Sequence, residues 1–236
     1  MRRTSPEQKW ALWSAYFDDV QREMISLFHT RWMWRTILDL TASSGVTQYT
    51  VVQNYLIRTY VATVCTAIRR EVDSDARTTS LARCLHRLVD APDTMTRARY
   101  AEIVRAACEP EHAERLAREG FDRFAPGGGE VLEVDLILAS IARIRDAAEP
   151  VKKYTDEVLA HRQRANGNVV AVAPSFDDIN HALDELGEVT KQYFALRHPT
   201  QMLAALTPIV DYTFLNMFKE PWYTEGHHIS RELDLG

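Results

Sequence analysis

The chain has 236 residues, 46% of them hydrophobic, enough to bury a core in one domain, or in one domain with an appended helical pair. Its formal charge of −5, from 33 acidic and 28 basic side chains, excludes a global pull on nucleic acid, so any RNA contact must come from a local basic patch. No apolar run approaches the ~20 residues a membrane span needs, and no apolar stretch follows the basic start "MRRTSPEQKW".

In chain order, the first helix starts at an N-cap, Ser5, with Pro6 at the first helical position and Gln8 at the capping-box spacing. It should run to about Leu40 and stop near "TASSG", where Gly45 is the stop signal. It carries Trp10, Trp13, Tyr16, Phe17, Phe28, Trp32 and Trp34. These rings are expected in the core, with some of the five tryptophans of the chain left for an interface. A second helix is expected over roughly 48–72. Its β-branched residues also suit a strand, but its length and three-and-four spacing favour helix. After the break at "SDARTTS", Thr79 or Ser80 can cap a short helix to about Val89; "APDT" is a turn. Helix resumes from Met95 to about Glu119, with Pro110 a candidate interruption.

"APGGGE" lacks the Gly-Lys-Ser/Thr ending of a phosphate loop and follows no apolar strand, so it reads as a flexible connector. A long helix follows from "VLEVDL" to "AHRQR", with a kink or restart expected at Pro150. "ANGN" should end it, "VVAVAPS" is an extended link or short strand, and Ser175 caps a helix to about Leu196. A last helix over about 200–218 precedes the tail. The three cysteines, Cys65, Cys84 and Cys108, lack zinc-site spacing and fit small buried hydrophobes in a reducing compartment, with the cytoplasm as the default location.

Within "YTDEVLAHRQR", helical spacing puts His161 in an apolar stripe with Val151, Tyr154, Val158 and Ala165, flanked by Glu157 and Arg164. A neutral imidazole there could take a proton, Glu157 could orient it, and Arg162 and Arg164 could hold a phosphate. Those are parts of a metal-independent ribonuclease, in which a base removes the 2′-hydroxyl proton and cations stabilise the charge developing on phosphorus. The plainer account of a lone histidine on such a stripe is a core residue with one hydrogen bond. In "RREVD", Arg69, Arg70 and Asp73 read first as a local ion pair at a helix end. Metal ligation is not expected: Glu109…His112 spans Pro110, Asp178…His181 occurs once, and His227-His228 lies in a tail. No cofactor is expected.

"KKYTDEVLAHRQ" resembles the signature helix of the HEPN superfamily, whose ribonuclease members carry Arg, four to six variable residues, then His. More narrowly it is similar to the abortive-infection AbiU-type branch, whose helix reads approximately Arg-Asp-Lys-x-Ile-Ala-His and aligns with Thr155 to His161. "HTRWMWRTILDLT", "IRREVDSDARTTSLARCLHRL", "VAPSFDDI" and the terminal Phe218 to Trp222 stretch carry the likeness across most of the chain. The motif arginine is replaced: positions 154, 155 and 156 hold Tyr, Thr and Asp, and Lys153 is one residue too distant.

The resemblance implies an all-α, HEPN-like bundle of about six to seven helices, residues 1–220, with 221–236 as a tail. It implies a homodimer with signature helices face to face, in a bacterial cytoplasm and not in a membrane. The function it implies is a defence or toxin-type protein acting on RNA, paired with a protein antitoxin or regulator. His161 is then the general base or acid, Glu157 its neighbour, and Arg70, aligned with the branch's Arg-Leu-Thr-Asp, the substitute cation. Arg162, Arg164 and Lys153 would contact phosphate. HEPN families also include non-catalytic scaffolds and nucleotide binders, and the missing arginine points toward that alternative.

Overall fold

The computed structural model describes residues 5–43, 50–160, 173–200 and 206. Among them the chain is an all-α bundle of seven helices: α1 Pro6–Ser43, α2 Thr50–Glu71, α3 Leu81–Asp90, α4 Arg97–Ala107, α5 Pro110–Phe121, α6 Val134–Tyr154 and α7 Phe176–Phe194. A π-helical turn, Thr155–Ala160, continues α6. The only β-type pairing among the described residues is an isolated bridge between Thr96 and Val131. None of their helices is long and apolar enough to cross a membrane.

Local chemistry accounts for the helix starts. Ser5 and Gln8 close the expected capping box, with each backbone N–H donating to the other's side-chain oxygen at 3.3 and 3.0 Å. Ser80 and Thr96 accept from the N3 backbone N–H of α3 and α4, and Ser175 pairs reciprocally with Asp178 at α7. The expected interruption at Pro110 is present: α4 ends at Ala107 and a new helix begins at the proline. Pro110 stands at the first position of α5, where its missing N–H leaves no bond unmade.

The helix α6 is central, packing on α2, α3 and α7, while α1 crosses α2, α3 and α7 and α4 packs with α5. Its Ile141, Ile144, Ala148 and Val151 meet Ile179, Leu183 and Leu186 of α7 in one continuous core. Of the α1 aromatics, Trp13, Phe17 and Trp34 are buried, and Trp13 stacks between Trp10 and Phe17. Cys65 and Cys84 are buried and Cys108 is half-buried at the end of α4. Burial pushes the Cys65 thiol up to about 12 and raises Cys84 further, so both behave as apolar filler.

Two expectations are corrected. The helix does not restart at Pro150, since α6 runs through it to Tyr154. Pro150 and Asp146, whose carbonyl loses its partner, both lie on the exposed face, where water can replace the bond. The "APGGGE" segment is a pinned connector. Arg97 donates to the carbonyls of Gly129 and Ala125, both at 3.0 Å, and pairs with Asp122 at 2.8 Å. Gly127 and Gly128 make the turn at φ of +69° and +82°, where only glycine is unstrained.

Candidate functional site

The signature stretch enters the described structure through Lys153 to Ala160; His161, Arg162 and Arg164 lie outside the described residues. The α6 geometry ends at Tyr154, and the next six residues form the π-helical turn. Its i→i+5 hydrogen bonding widens the helix, so a stripe counted at α-helical spacing slips by about one residue. Val151 and Thr155 are buried, while Tyr154, Glu157 and Val158 are half-buried. The expected Val151, Tyr154, Val158 face is therefore interrupted by Thr155, whose hydroxyl donates to the Val151 carbonyl at 2.8 Å.

A carboxylate, not an arginine, holds this turn. Asp156 accepts from Arg69 Nε at 2.9 Å and from Lys152 Nζ at 3.1 Å, and Arg69 also donates to Asp73 at 3.1 Å. Burial pushes the Asp156 carboxyl up, but the hydrogen bonds and charges of Arg69 and Lys152 outweigh it and hold the group below its ordinary value. The cation brought by α2 to the signature segment is thus Arg69. Arg70 lies 2.5 Å from Glu23 of α1 and 3.5 Å from Glu71, and its expected part as the substitute cation concerns His161, which lies outside the described residues. The local pair at the end of α2 is Arg69–Asp73, a pairing at i,i+4, and does not involve Arg70.

Glu157 stands half-buried on the turn, and Lys153 is exposed with no ion pair among the described residues. At the turn, Arg69 and Lys152 bond to Asp156, and Arg69 also bonds to Asp73. The pairing of Arg69 with Asp156 has no signal in the sequence, where the two are 87 residues apart.

The rejected metal spacings have other employment. Glu109 is the N-cap residue of α5 and Asp178 belongs to the capping box of α7. Among the described residues no three His, Cys, Asp or Glu side chains converge as metal ligands. Comparison with models of protein families, with curated proteins and with solved structures gives no match for this chain.

Proposed function

We propose that this is a HEPN-like bacterial defence or toxin-type protein that acts on RNA without metal, as a homodimer whose two signature helices share one cleft in the cytoplasm. His161 serves as the general base or acid, and Arg162, Arg164 and Lys153 contact phosphate. The observation that supports this reading is the π-helical turn leading directly into His161, since such turns concentrate at functional sites. The Arg69–Asp156 bond ties that turn to α2.

A second reading, a non-catalytic module that binds a protein regulator or a nucleotide through the same face, draws on a different observation. Arg69, the cation that α2 brings to the signature segment, is already bonded to two carboxylates, so it would stabilise transition-state charge only after those bonds are given up.

Incubating wild type and His161→Ala with a mixed RNA substrate in excess EDTA separates the two. The ribonuclease reading expects cleavage by the wild type and a loss of about 10²- to 10⁴-fold in the folded variant, the range for removing a general acid–base group. Equal, negligible cleavage by both across substrates and pH would leave the binding module standing.

A further inference from the structure

A second cluster of basic side chains lies where α3 packs on α6. His86 on α3 has its Nε2 3.5 Å from Nη2 of Arg145 on α6, and that same guanidinium nitrogen donates to the Ser74 hydroxyl in the connector before α3. Arg83 precedes His86 by three residues on the same stripe. Its Nε is buried with no hydrogen-bond partner, and its Nη1 reaches Asp90 only at 3.7 Å. Asp90, at 65% side-chain exposure, is the carboxylate that acts on His86, and among the described residues no carboxylate pairs with Arg145.

Many arginines of the molecule are neutralised, although Arg87, on the same helix as Arg83, also keeps a buried Nε without a partner. Arg31, Arg69, Arg97, Arg99, Arg143 and Arg197 each close an ion pair with an Asp or Glu. Here two guanidiniums and an imidazole converge with one loosely held counter-charge. They supply the planar forked donors and the titrating donor suited to the oxygens of a phosphoryl group.

We propose that His86, Arg145 and Arg83 form a binding site for a phosphoryl group, with Ser74 orienting Arg145. The site is separate from the His161 segment. Arg145 lies about 15 Å along α6 from the start of the π turn, at the usual helical rise. An anion seated there bonds to both arginines and draws a proton onto His86, whose Nε2 changes from accepting to donating a hydrogen bond. Without the anion, burial and the charges of Arg145 and Arg83 hold the imidazole below its ordinary value, opposed only by Asp90.

The test is a side-chain NMR titration of the histidines at constant ionic strength, in chloride and in millimolar inorganic phosphate or sulfate. His86→Gln assigns the resonance and exposed His112 serves as the internal reference. The expected result is a rise of about half to one pH unit in the His86 midpoint, with His112 unmoved. That rise corresponds to three- to tenfold tighter anion binding by the imidazolium form. Arg145→Gln should abolish the rise. Arg83→Gln should reduce it, and provides the same check should the Arg145 variant fail to fold by circular dichroism. A His86 midpoint that moves no more than that of His112, or that moves equally in both arginine variants, overturns the site.

Repeating the titration with adenosine 5′-monophosphate and with a short RNA lacking terminal phosphates identifies the source. Movement by the nucleotide alone assigns a terminal phosphate, and movement by both assigns a backbone phosphodiester. Because the readout is at His86, the result stands whether or not His161→Ala changes RNA cleavage.

Discussion

Glu71 closes α2 with only 1% of its surface exposed. One carboxylate oxygen accepts the Leu81 N–H at 2.9 Å, at the start of α3. The other lies 3.5 Å from Arg70 Nε without a hydrogen bond. Burial pushes its pKa up to about 7, against the opposing pull of the Leu81 N–H and Arg70. The folded state therefore holds this proton more tightly than the unfolded chain. Folding carries no cost from Glu71 below its ordinary range; the cost grows between about pH 4.5 and 7 and stays in full above that, at about 3 kcal/mol at most. Glu71→Gln keeps an acceptor for Leu81, so it should melt several degrees above wild type at about pH 8 and level with it at about pH 4.5. Thermal scans of both proteins at the two pH values decide it; an equal gain at both would place the effect in packing and not in ionisation. Gly187 poses a steric question instead. A Cβ there would stand 2.6 Å from Phe28 Cζ, where α7 meets α1. The better helix propensity of alanine, worth about 1 kcal/mol, is set against overpacking worth about 1–3 kcal/mol. Gly187→Ala is expected to destabilise by about 1 kcal/mol in urea unfolding; a stabilised variant would mean that Phe28 swings aside freely.

At the scale of the element, helix starts were legible because each has a short-range chemical signal. Ser5 with Gln8, Ser80, and Ser175 with Asp178 are side chains that satisfy backbone donors three residues on, and spacing alone reveals them. Pro110 was ambiguous, since proline at a first helical position and proline as a breaker look alike until the flanking turns are seen. The π turn carried no signal, because reading a stripe at i, i+3, i+4 presumes the α period that Thr155–Ala160 abandons. Nor could the sequence decide between Arg69 and Arg70, which are neighbours of one type; the direction in which α2 packs on α6 chose Arg69. The bracing role of Arg69 is testable by hydrogen exchange. Both partners are partly exposed, so the contact is worth under about 1 kcal/mol. Arg69→Gln should speed amide exchange across the π turn up to about fivefold while leaving α3 and α7 unchanged. Acceleration spread evenly over the bundle would show that Arg69 supports global stability rather than the turn.

For the whole molecule, the proposed reading calls for two copies, because one signature segment supplies a single histidine. Leu159 is the apolar side chain that the turn presents outward, at 37% exposure on the position two before His161. If the two segments face each other across a twofold axis, Leu159 comes within reach of its own mate or of the partner's turn, since a twofold contact pairs the same patch on both subunits. A carboxylate there would place two like charges in an apolar contact, a severe penalty for association and a mild one for the monomer. Leu159→Glu is therefore expected to sediment as a monomer of about 27 kDa under conditions in which the wild type is a dimer, with an unchanged melting profile at high dilution. The same substitution should remove RNA cleavage with His161 intact, because the shared cleft is lost. A wild type that is monomeric at high concentration, or a Leu159→Glu protein that still dimerises, would detach the His161 segment from any twofold cleft and leave each chain to act alone.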